Sequence, residues 1–147
     1  MKKMLLLLTV VFGLIPAAIA GRNFSGVWRL SGESLLASVD TVLSGAALIT
    51  IRMAANKLTL VAESPRIVEE YVMDGDDHPI ATRFGSMTYA TSWEGDTLVI
   101  TRTPVKKSGT KVQTLRFSVS ANGRYLQITC TLEGDKAPQD VLSWEKR

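Results

Sequence analysis

The chain has one cysteine, Cys130, and one histidine, His78, among its 147 residues. A single thiol excludes an internal disulfide, so stability must come from packing and strand pairing. A single imidazole excludes a paired-histidine metal site, and a histidine-based triad would need a nucleophile that the sequence does not place. The acidic run Asp74, Asp76, Asp77 lacks the further ligands and distal Glu of a calcium loop, so it reads as a solvated turn. Nor does one sign of charge dominate, with 17 Lys and Arg against 14 Asp and Glu. Lys2 and Lys3 sit at the extreme N-terminus, and without them the surplus is only about +1, which argues against a nucleic-acid partner.

Long apolar runs are absent after residue 20, but one precedes it. Lys2 and Lys3 are followed by the apolar stretch Met4 to Ile15, and Ala18-Ile19-Ala20 is a small-x-small cleavage site. The run falls short of the ~20 residues that a membrane-spanning helix needs. No cysteine adjoins the cleavage point, which argues against lipid attachment there. We therefore expect a signal peptide over 1–20, export to the periplasm or medium, and no stable membrane anchor after cleavage. The remaining 21–147, about 127 residues, suits one domain with a single core.

What that domain does contain is short alternating strands joined by polar turns. Phe24, Gly26, Trp28 and Leu30 share one face if extended, and Gly26 leaves space beside the largest side chain for another backbone or ring to approach closely. Strands are predicted over Ala47 to Met53, Lys57 to Ala62, Ile67 to Met73, Met87 to Trp93, Thr97 to Thr103, Lys111 to Val119, Tyr125 to Leu132 and Val141 to Lys146. Asn122-Gly123 is the sharpest hairpin signal. His78 to Gly85 shows no period and reads as a loop. Over 33–43, Leu35, Leu36, Val39 and Leu43 follow helical spacing, which fits one short helix or an irregular crossover between Gly32 and Gly45.

About nine strands with short connections imply antiparallel neighbours. The expected fold is all-β: an antiparallel up-and-down barrel of about 8–10 strands, whose edges vanish when the strand of Trp28 pairs with that of Trp144. A two-sheet sandwich is the alternative.

The segment Phe24-Ser25-Gly26-Val27-Trp28-Arg29-Leu30 resembles the opening strand of lipocalins and intracellular fatty-acid-binding proteins, members of the calycin group. Trp93-Glu94-Gly95-Asp96-Thr97-Leu98-Val99 and the terminal Trp144-Glu145-Lys146 are similar to the fatty-acid-binding branch, and exported bacterial lipocalin-like domains are the nearest likeness. The resemblance implies a cavity for a small apolar ligand. It also implies a structural plug at Trp28 with a basic side chain on its indole, for which Arg124 and Lys146 are candidates. Two departures stand out. Leu142 occupies the position where that branch has a carboxylate-gripping Arg, and the lipocalin Thr-Asp-Tyr element is missing.

Candidate ligand-binding residues are Tyr71, Tyr89, Trp93, Arg102, Arg116 and Phe117. Gly26, Trp28 and Trp144 are the candidate barrel-closing residues. Arg102 shares a face with Leu98 and Ile100, whereas Leu115, Phe117 and Val119 oppose Arg116 and turn it outward. An inward Arg must be paired or serve an anion. The aromatics read equally as core. Cys130, in line with Leu126, Ile128 and Leu132, reads as a buried small residue. Asn23-Phe24-Ser25 matches a glycosylation pattern. No organised acid–base pair points to an enzyme, and no cofactor is expected. The chain reads as an exported binder of an apolar or lipid-like molecule held inside the barrel. The alternative is a ligand-free barrel acting as an envelope interaction module.

Overall fold

The computed structural model describes residues 23–31, 46–63, 66–82, 85–106, 111–138 and 140–147. The expected signal peptide over 1–20 and the segment 33–43 lie outside the described residues. Ten strands follow in order: β1 (Gly26–Leu30), β2 (Leu48–Ala54), β3 (Lys57–Ala62), β4 (Ile67–Val72), β5 (His78–Thr82), β6 (Gly85–Glu94), β7 (Thr97–Pro104), β8 (Gln113–Val119), β9 (Tyr125–Leu132) and β10 (Asp140–Lys146). They form one antiparallel sheet in the order β4-β3-β2-β1-β10-β9-β8-β7-β6-β5, curled into a nearly closed up-and-down barrel. One continuous sheet replaces the two facing layers of the sandwich alternative.

Alternation sets which face turns inward. Along β9, Leu126, Ile128 and Cys130 are buried while Tyr125 and Gln127 are exposed; along β8, Gln113, Leu115 and Phe117 are buried. The β8–β9 ladder opposes Leu115 to Cys130 and Phe117 to Ile128, so the inward rows of the two strands meet side by side. Cys130 thus lies in the core, as its pattern implies.

The pairing of the first strand with the last is present: Trp28 is opposite Lys146 and Leu30 opposite Trp144. Both indoles are fully buried. The Trp28 Nε1–H donates to the Phe24 carbonyl at 2.9 Å, which satisfies its one polar atom. Of the two candidate bases, Lys146 lies over Trp28, its Nζ 5.4 Å from the ring centroid, while Arg124 points away to Glu145. Gly26 makes that arrangement possible. A Cβ there would stand 2.9 Å from Lys146 Cε, and its φ of +152° is one that side-chain-bearing residues avoid.

Two expectations are corrected. His78–Thr82 is a strand, not a loop, and brings the number of strands to ten. Pro79 and the lack of an apolar period in its residues conceal it, although its burial alternates between half-buried and exposed, and an edge strand paired on one side alone tolerates proline. The edges also do not vanish entirely. β4 and β5 end the sheet and share no ladder, which leaves a seam. Side chains of β6 cross it to the end of β4. The Val72 N–H donates to Tyr89 Oη at 2.8 Å, and Thr91 Oγ1 donates to the Val72 carbonyl at 3.1 Å.

Gly26→Ala is expected to lower unfolding stability by about 1–3 kcal/mol, through the strained φ and displacement of Lys146. Lys146→Met, which keeps the stem and removes the charge, is expected to cost about 0.5–1 kcal/mol. Urea unfolding followed by tryptophan fluorescence measures both, and an unchanged midpoint for Gly26→Ala would contradict the close-approach account.

Candidate functional site

The inward rows of β7 and β8 begin apolar and end polar. Leu98 and Ile100 lead to Arg102; Phe117 and Leu115 lead to Gln113. Register makes the two polar ends coincide, since Arg102 is directly opposite Gln113. On the other side of Arg102 in the sheet stands Tyr89 of β6. From β4, Glu69 and Tyr71 point into the same region, because their inward row, Ile67-Glu69-Tyr71, runs along the far side of the seam.

Arg102 is 1% exposed and its side chain forms an ion pair with Glu69, whose side chain is 10% exposed. The Arg102 Nη2 donates to Glu69 Oε2 and to Tyr71 Oη, and the Tyr71 hydroxyl donates to the same carboxylate oxygen. The three groups therefore close a triangle of hydrogen bonds inside the barrel. The guanidinium also lies against the phenol face, with its carbon 5.6 Å from the Tyr71 centroid. Tyr89 packs edge-on against Tyr71 with centroids 4.9 Å apart and planes at 80°, and its other neighbour is the His78 ring at 5.5 Å.

Burial is the main cause that pushes the Tyr71 phenol well above its ordinary pKa; Glu69 adds to the rise and Arg102 opposes it. For Arg102, burial alone would favour losing the proton. Attraction to Tyr71 and Glu69 outweighs it, and the guanidinium's pKa is held above its ordinary value. The site is thus a charged pair with a neutral phenol, and its net charge is close to zero.

Two polar atoms of this cluster are not used by it. Arg102 Nε and Gln113 Oε1 are buried and have no hydrogen-bond partner among the described residues; the same holds for Trp144 Nε1 elsewhere in the core. A buried polar atom left in this state costs about 1–3 kcal/mol.

The expected site residues separate into three groups. Arg102, Tyr71 and Tyr89 come together. Phe117 and Trp93 face inward in a second cluster: Phe24 stacks on Trp93 at 5.9 Å with planes 6° apart, and touches Phe117 at 6.2 Å. Arg116 joins neither. It points outward, 41% exposed, and faces Glu94 at 3.6 Å, as the alternation of β8 requires. Gly26, Trp28 and Trp144 take up structural positions at the β1–β10 contact. Three residues of the polar cluster were not among the expected ones: Glu69, Thr91 and Gln113. Each interrupts an otherwise apolar row, Glu69 between Ile67 and Tyr71, and Gln113 two residues before Leu115. That interruption is the signal that could have found them.

The acidic turn is tied locally. Asp74 bonds His78 Nε2 at 2.9 Å and accepts the Asp76 N–H at 3.0 Å, and the His78 contact is the main reason its carboxyl is held below its usual range. Among the described residues no group of three His, Cys, Asp or Glu is placed to hold a metal ion.

Arg102→Met is expected to cost about 3–5 kcal/mol, because it strands the Glu69 charge in a near-buried position. The double variant Arg102→Met/Glu69→Met is expected to recover most of that loss, and an additive result in a urea-unfolding double-mutant cycle would show that the pair does not act as a unit. A second expectation concerns alkali. The Tyr71 pKa is raised in the folded state, so above pH ~10 the unfolded chain gives up the proton first and stability falls as pH rises. Ultraviolet titration of the three tyrosines should show one that ionises only with unfolding, and Tyr71→Phe should abolish that step.

No protein-family model matches the chain, and neither does any curated protein, so the case for a function rests on the Arg102 cluster.

Proposed function

We propose that the protein binds a small, mostly apolar molecule inside the barrel, with the Arg102 cluster meeting its polar part. The observation that carries this reading is the pair of unpartnered buried atoms, Arg102 Nε and Gln113 Oε1, on adjacent strands of an otherwise apolar interior. A barrel that needed only a filled core gains nothing from this chemistry. A buried ion pair is commonly matched or bettered by apolar residues of the same volume, and unpaired polar atoms are a net cost. Apolar walls with a few convergent polar groups are what small-molecule sites are built from.

The nearly closed ten-stranded barrel is compatible with the calycin likeness of the Gly26-Val27-Trp28 strand, which supports an internal ligand. The leader-like residues 1–20 support action outside the cytoplasm, in the periplasm or the medium. The alternative, a ligand-free interaction module, asks for a shared apolar surface. Among the described residues the large exposed apolar ones, Val68, Val105 and Tyr125, stand on or beside β4, β7 and β9, which are separated in the sheet order.

Purified mature protein incubated with a lipid extract of cells and re-isolated is expected to carry a stoichiometric apolar compound detectable by mass spectrometry. The same compound should displace a neutral apolar dye such as Nile red. Repeated recovery of protein with nothing bound, and no dye uptake, would sink the proposal.

A further inference from the structure

The polar end of the ligand can be specified further, on the reading that a ligand is bound at all. Glu69 already neutralises Arg102, and the Arg102 Nη2 is taken by Glu69 and Tyr71. The buried atoms of the site without a partner among the described residues are a donor, Arg102 Nε–H, and an acceptor, Gln113 Oε1, carried by residues 1% and 5% exposed. Directly opposed residues of an antiparallel pair have Cβ atoms roughly 5 Å apart, so both groups can reach a single ligand moiety.

We infer that the site recognises an uncharged head group that accepts and donates at adjacent atoms, a carboxamide on an apolar chain. The amide carbonyl accepts from Arg102 Nε–H, and its N–H donates to Gln113 Oε1. A carboxylate fits poorly for two reasons. It would bring a second negative charge to a buried pair that is already balanced, and it has no hydrogen for Gln113. An ester accepts from Arg102 but leaves the Gln113 oxygen unpaired. Selection therefore comes mainly from the groups that would be left unsatisfied by the wrong ligand.

Decanamide, decanoate and methyl decanoate, of matched chain, separate these cases by displacement of Nile red from the mature protein at pH 8. Decanamide is expected to bind about tenfold tighter than either of the others, as the one hydrogen bond to Gln113 that it adds over the ester allows. Gln113→Met removes the acceptor at similar volume and leaves the ion pair intact. It should erase the advantage of the amide over the ester. Decanoate binding as tightly as the amide, equal affinity for all three, or an amide advantage that survives Gln113→Met would each overturn the inference while leaving an apolar binder standing. Failure of all three compounds and of the dye to bind would instead remove the binding reading itself, and this inference with it.

Discussion

The curled sheet has two edges to bring together, β4 and β5, and no backbone ladder among the described residues does so. β4 and β5 stay unpaired with one another, and the seam is held by side chains. Tyr89 and Thr91 of β6 satisfy the Val72 backbone at the end of β4, and Arg102 of β7 reaches across the interior to Glu69 and Tyr71 of the same strand. These contacts depend on one another. The guanidinium remains charged because Glu69 and Tyr71 surround it, and the phenol remains neutral because it is buried beside a balanced pair. Removing one member leaves the others as isolated buried polar groups, which is the most costly condition for a protein interior.

The same cluster links architecture to chemistry. Its position follows from register: the inward rows of β6, β7 and β8 place Tyr89, Arg102 and Gln113 side by side, and β4 supplies the counter-charge from beyond the seam. Elsewhere the interior is built of Ile, Leu and aromatic side chains, with Phe24, Trp93 and Phe117 in one stacked group. The barrel thus contains a large apolar portion and a compact polar portion whose hydrogen-bonding capacity exceeds what it uses internally.

Much of this was legible in the residues, since a period of two exposes the inward face directly. Alternation along β8 and β9 gave the correct interior rows, turned Arg116 out and buried Cys130, whereas along β7 it gave Arg102 no more than a face shared with Leu98 and Ile100. The spacing of Gly26 and Trp28 anticipated a close approach, which the aliphatic stem of Lys146 makes in place of a backbone or ring. The pairing of the Trp28 and Trp144 strands also followed from the pattern. Two features were hidden for physical reasons. β5 bonds on one side only and alternates merely between half-buried and exposed residues, so its sequence shows no apolar period and tolerates proline, and with it the position of the seam was lost. The partner of Arg102 was hidden because Glu69 lies on a strand far away in the sheet order, and pairing across an interior leaves no local trace in sequence.

Among the described residues, eight of the nine ladders join strands that are consecutive in the chain, and β1 with β10 is the exception. Hairpins form quickly, whereas an association between segments separated by over a hundred positions carries a large loop-closure entropy, so that docking should set the speed of folding. A circular permutant that linked β10 to β1 and opened between β4 and β5 would keep every ladder and make all of them local. Its refolding would be accelerated relative to the natural order, with the new termini at the gap where the sheet is already discontinuous.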